Sequence, residues 1–389
     1  MIKPTYDILL WQDAAQTQHA LWRAENGTPA PKKLLLADDT LTADSAYKLA
    51  CEGVGLLWQG DFQNARQLLQ ALARRCDRPP KKTRHAETAA LEPAHAFHLH
   101  RQAQSQRARI LAMILIPLNA DYSISLKRAP NVVEPCTEVY GAAASTNSIV
   151  SLRELQSLIG AHEWRKKGVF IPALDAHIHP HYGVFSPIRG EYIELVANTP
   201  LPATQLVFDI GTGTGVLAAL LAKRGVKQVI GTDLDPRALQ CAQQNIERLA
   251  LTDQVSIIPA NLFPQGKAAL IVCNPPWVPA RPSSPIEAAI FDPASQMLHG
   301  FIAGLAEHLE PQGEGWLLLS DLAEHLGLRS REQLLLWIKN AGLRIVERID
   351  IKPNHPKMMD ANDPLHAARA AEVTSLWRLK VELVTGAEQ

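Results

Sequence analysis

Two short motifs place chemically useful residues at the ends of predicted strands. The first, DIGTGTG, begins at Asp209 and alternates glycines with threonines between an apolar run and an Ala/Leu-rich helix. Because glycine has no Cβ, such a loop lets a ligand approach the backbone closely. The second, NPPW, begins at Asn274, and its two prolines fix φ and remove two N–H donors. The first motif predicts a ligand loop, and the second predicts a stiff turn that presents an amide, outward carbonyls and an aromatic ring.

The NPPW turn suits a planar NH2 group. The side-chain oxygen of Asn274 and the carbonyl of Pro275 are two acceptors that can be aimed at one amine. Such an amine is a poor nucleophile, and hydrogen bonds to both its protons favour the pyramidal, partly positive nitrogen of a transition state. The Trp277 ring can stack on the planar group and align it for in-line attack on a methyl group. The alternative is a strand terminator with a core Trp, which we would favour for a lone NPPW but not downstream of a nucleotide-binding half.

The elements that position these motifs read as parallel strands. Residues 205–210 and 228–232 are apolar runs typical of buried strands, and the second ends in Asp233. A carboxylate about 20 residues beyond a glycine loop can accept both hydroxyls of a ribose. Asp235 precedes Pro236, so we interpret it mainly as a helix N-cap and only secondarily as a ligand group.

The glycine loop differs from a dinucleotide-binding loop, and a third strand adds further candidate ligand residues. The dinucleotide fingerprint requires a small residue at position 216, which is Val, so NAD is disfavoured. A third strand, 255–260, ends in Asn261-Leu262-Phe263, where we expect an adenine edge and face to be held.

With these motifs in place, residues 165–385 resemble the class I S-adenosylmethionine-dependent methyltransferases of the "small domain" superfamily. That group includes rRNA guanine-N2, tRNA adenine-N6 and release-factor glutamine-N5 methyltransferases. The resemblance implies S-adenosyl-L-methionine as cofactor and a catalytic turn formed by Asn274, Pro275 and Trp277. Asn261 stands where the family often has Asp, and Ala269 replaces a common Asp. The residues implied to surround the cofactor are Asp209, Gly211, Gly213, Gly215, Asp233 and Asn261.

The predicted fold is α/β, with a Rossmann-like methyltransferase domain built on a mixed seven-stranded sheet. We predict this domain over residues 151–389, after an N-terminal α/β domain over 1–150. Ser330 and Gln333 resemble a capping box. A His-, Pro- and Asn-rich loop, 352–371, is a candidate recognition element. Further helices are predicted at 151–160, 191–197, 294–310 and 330–341, and further strands at 315–320, 343–351 and 375–383.

The segment before the glycine loop, 171–192, carries His177, His179 and His181 at alternating positions. Three such histidines can suggest a metal site, but no Cys or acidic cluster has a matching ligand spacing, and the proposed chemistry needs no metal. We expect no metal. We predict instead that this segment covers the cofactor, with Phe185, and with Tyr182 or Arg189, in contact with it. The alternative is a polar connector.

Composition limits the number of domains and the cellular environment but does not indicate a function. The 389 residues allow two domains, and their formal net charge of zero favours no partner. No secretion signal and no membrane-spanning run is visible, so we expect no membrane partner. The five scattered cysteines predict a reduced, cytoplasmic protein.

The N-terminal part reads as strand, helix, strand, helix over 33–38, 43–53, 54–58 and 62–75. It has no glycine loop, and it is either a recognition domain or a degenerate copy of the methyltransferase fold. Residues 110–117 and 122–126 look like further strand or helix segments. From Arg74 to Arg109 there are nine Lys/Arg and three Asp/Glu. This segment is either a phosphate-contacting RNA surface or a solvated linker and helix face.

Three functions compete. The first is RNA methylation at an exocyclic base amine, guanine N2 or adenine N6, which requires the base to be unpaired or flipped out. The second is methylation of a protein glutamine at N5, because a side-chain amide offers the same planar NH2. The third is a noncatalytic cofactor-binding scaffold. The basic segment favours RNA, and the neutral net charge tempers that preference.

Overall fold

The computed structural model describes residues 7–13, 16–78, 92–143, 145–282, 285–353, 360 and 363–382. The chain divides into two units, of which the first comprises Met1–Ala90 and His98–Glu163. The second comprises Leu91–Phe97 and Trp164–Gln389. The division of function between residues 1–150 and 151–389 stays a prediction.

The first unit contains a six-stranded sheet with the order β1-β2-β6-β5-β4-β3. Strands β3, β4 and β5 are parallel, β6 runs antiparallel to β5, and β1 runs antiparallel to β2. Its strands are Ile8–Asp13, Gln16–Arg23, Lys33–Ala37, Val54–Trp58, Ile114–Leu118 and Ser148–Ser151, for β1 to β6. Its helices are α1 Ala43–Cys51, α2 Phe62–Cys76, α3 Pro93–Leu111 (from His98), α4 Val133–Tyr140 and α5 Leu152–Lys167 (to Glu163).

The predicted strand–helix–strand–helix order is confirmed as β3, α1, β4 and α2, and both of these helices begin at a polar N-cap. Thr42 accepts from Ser45 N at the start of α1, and Asp61 accepts from Gln63 N at the start of α2. Apolar residues three or four positions apart then bury one face of α2.

Residues 110–117, predicted as strand or helix, contain the end of α3 and most of strand β5, in agreement with that prediction. Two other predictions in this unit were wrong in detail. Residues 122–126 form neither helix nor strand, because Tyr122 has a φ of 66° beside a turn closed on Asp121. Helix α5 passes through Gly160 and ends at Lys167, because the next residue, Gly168, has a φ of 73°. The predicted cap holds, since Ser151 Oγ accepts from Glu154 N at 3.1 Å.

The second unit contains a seven-stranded sheet of order β11-β10-β9-β12-β13-β15-β14, in which β15 is antiparallel to both neighbours. The predicted mixed seven-stranded sheet is therefore confirmed. A separate two-stranded ribbon pairs β7 with β8. The strands are β7 Val169–Ile171, β8 Ala176–Ile178, β9 Leu206–Ile210, β10 Gln228–Asp233, β11 Val255–Pro259, β12 Ala268–Cys273, β13 Leu309–Ser320, β14 Leu343–Ile351 and β15 Thr374–Val381.

Both faces of this sheet are covered, because alternate strand residues enter two apolar clusters. Val207 and Val272 belong to the cluster that includes α6 and α7, and Phe208 and Ile271 belong to the cluster that includes α10 and α12. Burial on both faces explains the near-continuous apolar strands. The helices are α6 Glu191–Asn198, α7 Val216–Lys223, α8 Pro236–Arg248, α9 Pro285–Ala288, α10 Gln296–His308, α11 Leu322–His325, α12 Arg331–Asn340 and α13 His366–Ala371.

The predicted ends differ in three places. Helix α10 begins two residues late because Ala294 and Ser295 have φ values of 54° and 55°. Strand β13 begins six residues before the predicted Gly315. Strand β15 ends at Val381, and Leu383 lies outside the described residues. The Ser330 cap of α12 is confirmed, with Ser330 Oγ accepting from Gln333 N at 3.2 Å.

Candidate functional site

The glycine loop joins β9 to α7 in left-handed backbone. Gly211, Gly213 and Gly215 have φ values of 70°, 55° and 79°, a region that glycine enters without strain. The N–H of Gly213 donates to Asp233 Oδ2 at 3.1 Å, and Thr212 N donates to the carbonyl of Thr232 at 2.8 Å. The loop at the end of β9 is thus tied directly to the acidic end of β10.

Asp209 supports this loop from below. Its Oδ2 accepts from Thr212 Oγ1 at 2.7 Å and from the N–H of Ala218 at 3.1 Å. Burial raises the pKa of Asp209 to about 6, against the two hydrogen bonds that favour the charged form. The carboxyl therefore fixes the turn from the end of β9 into α7.

Two neighbouring carboxyls at the end of β10 have different partners. Asp233 accepts from Gly213 and, through Oδ1, from the N–H of Asp235 at 3.0 Å, and burial raises its pKa. Asp235 is exposed and accepts from the N–H of Arg237 at 2.9 Å, with Pro236 in the first turn of α8. The N-cap interpretation of Asp235 is confirmed.

A cavity of about 1000 Å³ lies along the carboxyl ends of β9, β10, β11 and β12. That volume is at the upper end for small-molecule sites. Gly215 is buried against Ala242 and is not on the wall. The predicted site residues on the wall are Phe185, Asp209, Gly211, Gly213, Asp233, Asn261, Asn274, Pro275 and Trp277.

The expected adenine end is only partly on the wall. Asn261 is exposed at the cavity, and Leu262 lies beside it with a φ of 68°. Phe263 instead stacks on His308 and Phe301, with ring centroids 4.3 and 5.8 Å away, and packs into the core. Of the segment expected to hold the adenine, Phe263 is therefore not on the cavity wall, because its ring stacks on two side chains of α10.

The NPPW turn follows the end of β12, and the side chains of Asn274 and Trp277 are hydrogen-bonded to each other. The indole Nε1–H of Trp277 donates to Oδ1 of Asn274 at 3.0 Å. The guanidinium carbon of Arg189 lies 5.2 Å from the centre of the Trp277 ring. One face of the predicted stacking ring is therefore covered by a cation.

The segment before the glycine loop reaches the cavity through its second half. Phe185 and Arg189 are on the wall, as is Tyr192 in the first turn of α6, whereas Tyr182 is not. The three histidines have separate partners: His177 contacts the Phe170 ring, His179 the carbonyl of Arg165, and His181 the side chain of Gln244. Within the described residues no group of three or more metal-ligating side chains is present.

Other wall residues carry weak signals in the sequence. Asp292 accepts from the N–H groups of Met297 and Leu298 at 3.1 Å each, so it caps α10 beside the glycine loop. Arg369 and Glu372 reach the wall from the end of the predicted recognition loop. Residues 354–359 and 361–362 of that loop lie outside the described residues. Of these wall residues, only Asp292 could have been anticipated from the sequence, because an Asp before a Pro often begins a helical turn.

The second unit is similar in sequence to known methyltransferases. A family model described as "Ribosomal protein L11 methyltransferase (PrmA)" matches residues 193–275, from α6 through the glycine loop to Pro275. A putative protein N5-glutamine methyltransferase of Methanocaldococcus jannaschii is 29% identical over 160 residues, which are 39% of this chain and 79% of that protein. The second unit is a Rossmann-like, S-adenosylmethionine-dependent methyltransferase domain.

Other relatives of this methyltransferase domain differ in their named substrates. A tRNA1(Val) (adenine(37)-N6)-methyltransferase of Shewanella loihica is 26% identical over 199 residues, 48% of this chain and 79% of that protein. A ribosomal protein L11 methyltransferase of Clostridium perfringens is 43% identical over 74 residues, only 18% of this chain and 23% of that protein. A solved methyltransferase from Pyrococcus furiosus has 20% identity and a TM-score of 0.38, over 57% of this chain and 98% of that one.

The residues present fit S-adenosylmethionine. A Cβ at Gly213 would have only the carbonyl of Gly211 within 4 Å, so this part of the loop faces open space. The half-buried carboxylate of Asp233 lies beside it, and the wall continues to Asn261. In the described part of the chain, no helix combines the length and apolarity needed to span a membrane.

Proposed function

We propose that this chain methylates a planar NH2 nitrogen. The observation that carries the proposal is the position of Asn274 and Pro275, which stand on the wall of the same cavity as the glycine loop. When bound, S-adenosylmethionine supplies an electrophilic methyl group on a sulfonium. Asp233 holds the ribose, the glycine loop accommodates the methionine end above Asp209, and Asn261 holds the adenine edge.

The protein's part in the reaction is to hold the acceptor. Oδ1 of Asn274 and the carbonyl of Pro275 each accept a hydrogen bond from one N–H of the NH2 group. These hydrogen bonds strengthen as the nitrogen becomes pyramidal and positive, so they stabilise the transition state more than the ground state. The stiffness of a Pro-Pro turn keeps both acceptors in place without reorganisation.

An exocyclic amine of an RNA base, guanine N2 or adenine N6, is our leading acceptor. The relative named as a tRNA adenine-N6 methyltransferase, of which this chain covers 79%, supports it. The basic segment supports it in part. Lys81, Lys82 and Arg84 lie outside the described residues, while Arg75 pairs with Asp44 and Arg107 with Asp77, each at 2.7 Å.

A protein glutamine N5 is the second acceptor, and the charges of the cavity wall favour it. Arg189 pairs with Glu191 and Glu372, and Arg369 pairs with Asp363 at 2.8 Å. These two arginines therefore have carboxylate partners rather than open positions for RNA phosphates. The relative named as a putative N5-glutamine methyltransferase also supports this acceptor. We also propose a reducing, cytoplasmic location, because all five cysteines are free thiols.

Label transfer tests the proposal and chooses the acceptor. Purified chain and methyl-labelled S-adenosylmethionine are incubated with separated RNA and protein fractions of a strain that lacks the gene. Label in RNA, followed by nucleoside mass spectrometry, supports the base amine, and label in glutamine supports the second acceptor. Asn274→Ala should abolish transfer and leave the cofactor dissociation constant within about threefold of wild type. Full transfer by Asn274→Ala would refute the proposed turn, and no transfer by the wild-type chain to either fraction would favour the noncatalytic scaffold.

A further inference from the structure

The side chain of Asn274 is oriented by a neighbour in its own turn. An amide oxygen has two lone pairs, and the Trp277 indole N–H occupies one of those on Oδ1 at 3.0 Å. The second lone pair is left for one proton of the acceptor amine. A Phe or Tyr ring has no ring N–H and cannot make this contact, so Trp gives this turn a fixed amide.

The indole is in turn held from its face. The Arg189 guanidinium lies 5.2 Å from the ring centre, within the range of a cation–π contact. Arg189 is half-buried on the cavity wall, where such contacts are stronger than at an open surface. Trp277 also packs against the apolar cluster that includes Val278 and Leu322, and it lies on the wall of the cavity.

Arg189 is itself fixed at two points. Its Nε donates to Glu191 Oε1 at 2.6 Å, and its Nη2 donates to Glu372 Oε1 at 3.1 Å. Glu372 also accepts from Ser320 Oγ at 2.7 Å, and both carboxylates are buried. Because Glu191 begins α6 and Ser320 ends β13, the guanidinium is anchored to two elements of the sheet scaffold.

We propose that Arg189 is a positioning residue that acts on the methyl acceptor through Trp277 and Asn274. This inference rests on the proposed function of the NPPW turn. The fork of Arg189 sets the plane of the indole, the indole N–H sets the direction of the Asn274 oxygen, and that oxygen sets the approach of the amine. Arg189 does not touch the acceptor in this arrangement.

The indole N–H of Trp277 gives a direct readout that needs no acceptor. The chain has eight tryptophans, each with one indole N–H signal in a 15N-labelled sample. The signal that is missing in Trp277→Phe is that of Trp277. Asn274→Ala should shift that proton signal upfield and speed its exchange with water, because the hydrogen bond is lost. Arg189→Gln should shift it in the same direction. An unchanged Trp277 signal in Arg189→Gln would overturn the inference.

The matched control is Arg348→Gln. Arg348 lies 5.0 Å from the centre of the Trp377 ring and pairs with Asp350 at 2.7 Å, and it is not on the cavity wall. Its loss should leave the Trp277 signal in place. If Arg189→Gln does not fold, Arg189→Lys keeps the charge without the fork and should give an intermediate shift. No shift with Lys would count against the inference equally.

Kinetics then separate positioning from general damage. In the label-transfer assay with whichever fraction accepts the methyl group, Arg189→Gln should lower kcat about threefold to thirtyfold, with an unchanged KM for S-adenosylmethionine. In a Trp277→Phe background the same change should cost less than about twofold, because the route is already broken. An undiminished effect there would overturn the route through Trp277. The inference then fails while an inactive Asn274→Ala still upholds the proposed function.

Discussion

Replacing Asp233 by Ala should remove most of the affinity for S-adenosylmethionine without unfolding the domain. The change deletes the carboxylate at the end of β10 and the acceptor for the N–H groups of Gly213 and Asp235. Burial raises the pKa of Asp233, so the ionised group costs stability at neutral pH. Its removal relieves that cost while two N–H groups lose a partner, and the two effects oppose each other. We expect little change in the thermal midpoint.

The affinity loss follows from the two ribose hydroxyls. A hydrogen bond to a charged acceptor contributes about 1.5–3 kcal/mol, so two of them contribute at least about 3 kcal/mol. Since about 1.4 kcal/mol is tenfold in a dissociation constant, the variant should bind at least about a hundredfold more weakly. Solvent that enters the vacated space keeps the loss near the lower figure.

Isothermal calorimetry with S-adenosylmethionine measures this, and Asp235→Ala is the comparison. Asp235 accepts from Arg237 N as the cap of α8, so its loss should cost about 1 kcal/mol of stability and less than about threefold in affinity. Equal affinity losses in the two variants would refute the separate roles. Wild-type binding by Asp233→Ala would refute the ribose assignment altogether.

Two other perturbations test the loop. Gly213 and Gly225 have φ values of 55° and 95°, with no side chain within 4 Å of an added Cβ, so Ala at either should cost about 1–2 kcal/mol of stability in thermal denaturation. Only Gly213→Ala should also weaken cofactor binding by calorimetry, and an equal loss in Gly225→Ala would contradict the loop assignment. Asp209 has a folded pKa of about 6 against an ordinary 3.8, so the folded state holds its proton between about pH 4 and pH 6. Stability from this group should therefore fall as pH rises through that window, by up to about 3 kcal/mol. Urea denaturation at several pH values should show that slope in wild type and not in Asp209→Asn, and identical slopes would refute it.

The strand ends and their polar residues were predictable, because periodicity and the parallel-strand rule act locally. Residues 343–351 form β14 as predicted, and Asp209, Asp233, Asn261 and Asn274 meet at one edge because parallel strands end together. The start of α10 was not predictable, since the left-handed Ala294 and Ser295 contradict the preference of their residue types.

The contacts of side chains across the fold were also beyond the sequence. Phe263 follows Asn261 closely, yet its ring turns into the core toward Phe301 and His308 because α10 supplies aromatic partners there. Nothing in the spacing of residues 189 and 277 indicates that a guanidinium covers the indole. That contact depends on how α6 and β12 approach each other across the cavity.

The two ends of the cavity therefore differ in how far apart their residues lie in the sequence. The cofactor end is formed by strand ends and a glycine loop that are close in sequence, and the family match covers much of it, residues 193–275. The acceptor end is formed around the NPPW turn by segments from far apart in the chain, with Arg189 before the sheet and Arg369 and Glu372 near its last strand. The matched region includes Asn274 and Pro275 but not Trp277, and the distant side chains of Arg189, Arg369 and Glu372 also lie outside it. Substitutions at Arg189 or Glu372 should therefore lower the rate of methyl transfer before they weaken cofactor binding, and label transfer together with calorimetry separates the two effects.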